Sequence, residues 1–230
     1  MTKKRVSRSR KRELETPDEF VTVSSRMIDL VTDHKEKMII GVGILIALIV
    51  GFVGRQYYSE RAENKAFALL EQSRVKYQVM SRTKGPEEVY VGVEKDFQQV
   101  LDKYSGSDGG KIARVIFADI CFNSGNYDRA IRLYETSLED FDEFPFIKNV
   151  IRNSLGHAHE KKKDYPTAVK YFEMIVQATD SVMKSDALFN LGVLYAEMGL
   201  NDKSTSAFKE IISNHSDAIY YEIVKERLAG

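Results

Sequence analysis

The hydrophobic pattern of this chain is dominated by one uncharged run of seventeen residues at positions 38–54 (MIIGVGILIALIVGFVG), with Lys37 before it and Arg55 after it. A helix rises about 1.5 Å per residue, so seventeen residues lie at the lower edge of what crosses a hydrocarbon core of about 30 Å. Residues 21–37 and 56–58 can extend it. The run is apolar all round, unlike the striped helix of a soluble domain. It predicts a transmembrane helix.

The stretch before this run has a different pattern. Phe20, Val23, Met27, Leu30 and Val31 fall near helical spacing, with charged residues on the other faces. Such an amphipathic segment is typical of a short helix lying on the inner leaflet of a membrane. It could equally pack on a partner protein, and the pattern does not choose between these two interpretations.

Beyond residue 54, apolar positions follow helical periods, and three segments repeat. A small residue recurs at Ala118, Gly156 and Gly192, spaced by thirty-eight and thirty-six residues. We predict antiparallel helix pairs in which this residue permits close approach and an aromatic residue fills the space between successive pairs. Each small residue is followed after twelve positions by another one, and four positions later by the aromatic: Ala130, Ala168 and Ser204, then Tyr134, Phe172 and Phe208.

The sequence also predicts the turns within this array and the helices at its two ends. Gly125 and Gly199 stand where the two helices of a pair join, and glycine adopts a left-handed backbone at little cost. A weaker unit precedes the three repeats, with its first helix over residues 59–82. The second helix of this unit carries apolar residues at the positions that match the repeats. At the other end of the array, residues 218–228 are predicted to form an amphipathic helix that caps the stack. The matching positions are Tyr90, Val93, Phe97 and Leu101.

These repeats resemble the tetratricopeptide repeat, whose G-x-Y-x-x-A signature stands at Gly125, Tyr127 and Ala130. No tryptophan opens a repeat, the usual closing proline is absent, and the spacing exceeds the family's period of about 34 residues. The expected fold is all-α: a single transmembrane helix followed by a tetratricopeptide-like helical-hairpin solenoid. The expected regions are a tail at 1–37, the membrane helix at 38–54 and the repeat domain at 55–230.

Charge predicts the orientation in the membrane. Ten lysines and arginines precede the apolar run and four lie in the twenty residues after it. Basic residues are retained on the cytoplasmic side, which places the tail in the cytoplasm and the repeat domain in the periplasm. A cleaved signal peptide is the alternative. The long leader and the missing A-x-A-like cleavage site favour an uncleaved single-pass anchor.

Composition and motifs exclude several functions. Residues 38–230 carry twenty-four basic and twenty-seven acidic groups, so the folded part does not favour nucleic acid as a partner. A single cysteine, Cys121, rules out an intramolecular disulfide, and its helical position indicates a packed thiol. His157 and His159 lie two residues apart and give no metal pattern. No catalytic or phosphate-binding motif occurs, so we expect no enzyme activity, no cofactor and no metal site.

The whole layout resembles the YfgM-type ancillary subunit of the bacterial Sec translocon. That resemblance implies a non-enzymatic protein of the bacterial inner membrane, associated with the Sec translocon and with a membrane-anchored periplasmic prolyl isomerase or chaperone. Two other functions stay open. One is a structural coordinator of cell-envelope assembly or division, and the other is a regulator acting through the cytoplasmic tail.

The resemblance to tetratricopeptide arrays also predicts a binding surface. In these arrays the first helices line a groove, and the exposed positions lie three before, and one, four and five after, the small residue. The paired Lys and Asn that clamp a carboxylate in some members are missing, so we expect an apolar groove for an extended or helical segment. Neighbouring helices could instead cover these side chains. The positions are Val115, Asp119, Phe122, Asn123, Asn153, His157, Glu160, Lys161, Phe189, Val193, Ala196 and Glu197.

Overall fold

The computed structural model describes residues 35–178 and 182–229, and within them the chain is helical with no strand. The basic tail and the amphipathic segment predicted at residues 20–31 lie outside the described residues. The chain divides into two compact units, residues 1–58 and 59–230. The described helices are α1 (Lys35–Ser81), α2 (Pro86–Tyr104), α3 (Asp108–Asn123), α4 (Tyr127–Asp140), α5 (Pro145–Lys161), α6 (Tyr165–Val176), α7 (Lys184–Glu197), α8 (Asn201–Asn214) and α9 (Tyr221–Ala229).

In the first unit, α1 presents its apolar side chains outward. Residues such as Ile39, Leu48 and Phe52 are exposed by 66–70%. The most apolar eighteen-residue window of the helix has a mean hydropathy of 2.4, and none of it is buried. By length and composition this helix can cross a membrane, and burial in lipid would remove its apolar surface from water.

In the second unit, the helices from α2 onward pack each against the next, and α3 also contacts α5. The last part of α1 joins this array through polar contacts. The Glu63 carboxylate accepts hydrogen bonds from the backbone N–H groups of Asp108 (3.0 Å) and Gly109 (2.7 Å) at the start of α3. A carboxylate at a helix N-terminus satisfies free N–H groups and complements the helix dipole. Lys76 pairs with Asp96 of α2 at 2.6 Å.

The recurring small residues lie where the two helices of a hairpin meet, as predicted. A Cβ atom on Gly156 would lie 2.6 Å from the Phe172 ring, and one on Gly192 would lie 2.3 Å from the Phe208 ring. Each of these two aromatic rings therefore covers the glycine of its own hairpin, whereas we expected the rings to fill the space between successive hairpins. Glycine is required because any side chain would occupy the volume of the ring.

The helix joints share one backbone geometry. Gly125 and Gly199 have φ of +78° and +73°, as the sequence predicts, but the joint of the middle hairpin places Lys163 at φ +61°. At each joint this residue donates its N–H to the carbonyl three positions before it. The next residue donates to the carbonyl five positions before itself. No pattern in the sequence predicts this conformation at Lys163, because a lysine side chain disfavours it and only the hydrogen bonds of the joint hold it there.

The buried side chains form two hydrophobic clusters. The first extends from Leu70 in α1 to Ala158 in α5, and the second from Ala168 in α6 to Val224 in α9. Val224 is fully buried, so α9 closes the end of the second cluster in the manner expected for a capping helix.

Candidate functional site

A cavity of about 400 Å³ opens in the first half of the helical array. Four of the predicted groove residues line it: Asp119, Phe122, Asn123 and His157. They come from α3 and α5, and side chains of α1 and α4 complete the wall. The complete lining is Tyr77, Ile116, Asp119, Ile120, Phe122, Asn123, Tyr134, Ser154 and His157.

Asp119 and Tyr134 form the polar centre of this cavity. The Tyr134 hydroxyl donates a hydrogen bond to Oδ1 of Asp119. Tyr134 itself is buried, whereas Asp119 is exposed to solvent on the cavity side, although many protein atoms surround its carboxylate. Desolvation by the surrounding protein raises the pKa of Asp119, and the hydrogen bond from Tyr134 partly offsets this effect. Burial also raises the pKa of Tyr134, which therefore stays protonated and acts as the donor.

His157 links the cavity to the next hairpin. Its Nδ1 lies 3.0 Å from Oε2 of Glu160, and its Nε2 lies 3.5 Å from the amide nitrogen of Asn190 in α7. The imidazole ring meets the Phe172 ring edge-on, with 5.2 Å between centroids. These contacts fix the ring in place, so His157 presents a defined surface to the cavity.

The apolar part of the wall is half open to solvent. Phe122 is half-buried and meets the Tyr127 ring edge-on at 5.6 Å between centroids. Asn123 beside it is exposed, and Val115 is half-buried against the first hydrophobic cluster. Phe122 lines the cavity and is partly packed against the first hydrophobic cluster, so the remaining part of its ring can contact a ligand.

A second cavity of about 270 Å³ adjoins the first, since both are lined by Tyr77, Ile120 and Asn123. It reaches the α1–α2 turn at Lys84 and Pro86. Sequence reasoning missed Tyr77, Ile116, Ile120 and Ser154 as lining residues. Tyr77 lies in the first helix of the weaker first unit, where the repeat spacing predicts no groove positions. The other three lie outside the four offsets that define the groove.

The groove positions predicted on α7 contact other parts of the chain and do not line the cavity. Phe189 stacks on Tyr220 with 4.1 Å between ring centroids and an interplanar angle of 10°. Val193 is half-buried against the second hydrophobic cluster, while Ala196 and Glu197 are exposed. None of these four lines the cavity around Asp119. Tyr220 precedes α9, so the C-terminal segment covers the aromatic side chain of this face.

The remaining groove positions lie on α5 outside the cavity. Asn153 and Glu160 are half-buried and Lys161 is exposed.

Cys121, one turn from Ala118, is buried, and desolvation raises its pKa to about 12. A thiol with that pKa remains protonated at neutral pH and is a poor nucleophile. Within residues 35–178 and 182–229, no group of three His, Cys, Asp or Glu side chains could hold a metal ion.

A separate polar cluster ties α4 to α2. Arg129 donates from Nη1 to the Tyr90 hydroxyl at 2.6 Å and to the Glu94 carboxylate, and from Nη2 to Gln98 at 2.8 Å. Its guanidinium also lies over the Phe117 ring, 4.7 Å from the centroid. This arginine holds successive hairpins together and is not a lining residue of the cavity.

Comparisons with known proteins agree with this architecture. A family model described as a tetratricopeptide repeat-like domain matches residues 34–230. The crystal structure of BtubC (BKLC) from P. vanneervenii is similar, with a TM-score of 0.54 and 19% sequence identity. The similarity covers 70% of this chain and 72% of that chain, and at this identity it shows a shared fold. The search of curated proteins gave no match.

Proposed function

We propose a function from the family of this chain, which belongs to the tetratricopeptide repeat-like domain family, whose domains mediate protein–protein interactions. The proposal is a membrane-tethered scaffold that binds a partner protein in the cavity lined by α1, α3, α4 and α5. Repeat domains of this type are not typically catalytic, and the buried, protonated Cys121 fits that role.

The cavity around Asp119 and Phe122 is the observation that carries this proposal. Its volume of about 400 Å³ falls within the range of ligand sites in proteins, and it combines an apolar wall with a few fixed polar groups. The adjoining cavity extends the surface toward Lys84. A partner's extended or helical segment can therefore contact several side chains along one continuous surface.

We further propose that α1 anchors the chain in the bacterial inner membrane, with the tail in the cytoplasm and the repeat domain in the periplasm. Two observations support this arrangement. The apolar side chains at residues 39–53 are exposed, and basic residues are concentrated before the apolar run. The layout that resembles the YfgM-type family supports the finer proposal that the partners are the Sec translocon and a periplasmic prolyl isomerase or chaperone.

Site-specific photo-crosslinking in native membranes tests the binding surface. A photoreactive residue is placed at Asn123, which is exposed and lines both cavities. The control position is Thr136, which is exposed on α4 and bonds only within its own helix, to the Arg132 carbonyl. We expect a discrete crosslinked partner from Asn123 and none from Thr136. Equal yields from the two positions would contradict the proposed surface.

Mass spectrometry of the Asn123 product tests the finer proposal. A Sec channel subunit or a prolyl isomerase would support it, and a division or envelope-assembly protein would favour the coordinator instead. Orientation is tested separately with a membrane-impermeant protease after the outer barrier has been opened. The repeat domain should then be digested while residues 3–12 stay protected. Protection of the repeat domain would contradict the periplasmic placement.

A further inference from the structure

The charge of the cavity wall is unbalanced. Asp119 is the single carboxylate among the lining residues of the main cavity, and no lysine or arginine lines it. The imidazole of His157 is already engaged by Glu160 at 3.0 Å. The wall therefore contributes a negative charge that no cation of the wall itself neutralises.

The geometry of Asp119 leaves part of its carboxylate available. Tyr134 donates to Oδ1, while Oδ2 has no hydrogen bond or ion pair within the described part of the chain. The carboxylate of Glu160, another groove position, is engaged, since it contacts His157 at 3.0 Å. The Asp119 side chain is exposed to solvent on the cavity wall, and its free oxygen can accept a strong charge-assisted hydrogen bond from an ammonium or guanidinium group.

The apolar side chains close to this carboxylate define the rest of the ligand. Ile116 precedes Asp119 by about one helical turn and Phe122 follows it by about one turn, and all three line the same cavity. Lysine and arginine carry an aliphatic stem below their charge, which can contact such a wall while the charged head reaches the acid.

We propose that this cavity binds a partner protein segment in which a lysine or arginine stands beside an aliphatic residue, with the cation paired to Asp119. The aliphatic neighbour contacts Phe122 and Ile116. This inference rests on the proposed scaffold function and specifies the chemistry of its partner. Charge complementarity selects this occupant, because an acidic or uncharged segment would leave the Asp119 carboxylate unpaired.

Binding of three synthetic peptides tests this inference. The peptides are blocked, of equal length and identical except for a central Leu-X-Leu, in which X is Lys, Gln or Glu. Their affinities for the full chain in lipid nanodiscs are measured by fluorescence anisotropy. We expect the Lys peptide to bind about ten- to 150-fold more tightly than the Gln peptide, the range for one hydrogen bond to a charged group. The Glu peptide should bind most weakly.

Substitutions at Asp119 assign any preference to this side chain. Asp119→Asn keeps a partner for Tyr134 and should make the Lys and Gln peptides equal. Asp119→Lys should reverse the order in favour of the Glu peptide. Glu135→Gln, which removes an exposed acid of α4 outside the cavity, should keep the wild-type preference. Thermal unfolding of each variant shows whether it is folded, and Asp119→Asn decides the outcome if Asp119→Lys is not.

Equal affinity of the wild type for the Lys and Gln peptides would overturn the proposal. So would a preference that survives Asp119→Asn, or the failure of all three peptides to bind. These outcomes leave the crosslinking test at Asn123 unaffected, because that test detects a partner of any charge. The scaffold function and the charge of its ligand can therefore fail independently.

Discussion

The predicted groove positions of α3 (the α3 face) and those of α7 (the α7 face) occupy equivalent places in the repeat array, yet only the first face opens onto the main cavity, while Tyr220 stacks on the aromatic ring of the second. On α3, Asp119 and Phe122 line a cavity of about 400 Å³. On α7, Phe189 stacks on Tyr220 at 4.1 Å. Val193, which holds the repeat position of Asp119, is half-buried among apolar side chains. The repeat spacing therefore identifies which positions share a face. Whether such a face is open to a ligand depends on the segments that pack against it.

The largest expected effect tests whether the hairpins of the first and of the second hydrophobic cluster pack in the same way. Ala130 and Ala168 are both fully buried at the helix contact of their hairpins. We expect Ala130→Glu and Ala168→Glu each to cost about 3–5 kcal/mol, because a charge would be buried without a partner. Thermal unfolding of residues 59–230, followed by circular dichroism, measures both variants.

Lys170→Glu serves as the control, since Lys170 is exposed on the same helix as Ala168 and should change stability by less than about 0.5 kcal/mol. If only one of the two alanine variants were destabilised, the hairpins of the two clusters would pack differently. The difference between the α3 face and the α7 face would then follow from that difference in packing.

The cover on the α7 face can be removed directly. Tyr220→Ala deletes the ring that stacks on Phe189, and we expect a loss of about 1–2 kcal/mol, since Tyr220 is half-buried. The exposed Phe189 surface should then bind more of the dye 1-anilinonaphthalene-8-sulfonate. Tyr221→Ala, at the neighbouring half-buried position that has no stacking contact with Phe189, is the matched control. Equal dye binding by both variants would mean that Tyr220 does not cover this face.

The pH dependence of stability should distinguish the cavity acid from a surface acid. The pKa of Asp119 is raised above 3.8 by desolvation, so its contribution to stability is full below about 3.8. It is lost as the pH rises through the folded-state pKa. The melting temperature of the wild type should therefore fall relative to that of Asp119→Asn as the pH rises from the acid range toward neutrality.

Asp142 provides the opposite case. A hydrogen bond from Lys148 lowers its pKa below 3.8, so its contribution is present above 3.8 and is lost as the pH falls. The wild type should gain melting temperature relative to Asp142→Asn over the same upward pH change. Parallel pH profiles for the two variants would contradict the assigned surroundings of Asp119.

The smallest expected effect concerns the joint of the middle hairpin. Lys163 has φ of +61°, where its two counterparts are glycines. Lys163→Gly should stabilise the fold by up to about 1 kcal/mol, and Gly125→Ala should destabilise it by about the same amount. Urea unfolding measures both. A loss of stability in Lys163→Gly would show that the lysine side chain contributes more than its backbone strain costs.

The sequence predicted the features that follow from local spacing. The small residues and the glycine joints are each determined by positions within one or two repeats, and the capping helix by its own amphipathic spacing. It could not predict Tyr220 over Phe189, since that contact depends on the path of a segment outside the repeats. Nor did spacing reveal Tyr77 in the cavity, because the first helix of that unit carries several small residues and none of them alone sets its register.

We propose that the α3 face, and not the α7 face, receives a partner protein. Photo-crosslinking from Phe122 and from Phe189, in otherwise identical full-length chains in native membranes, tests it most directly. The structure predicts that Phe122 captures the same partner as Asn123 and that Phe189 captures none. Capture of that partner from Phe189 alone, or from both positions with equal yield, would contradict the claim.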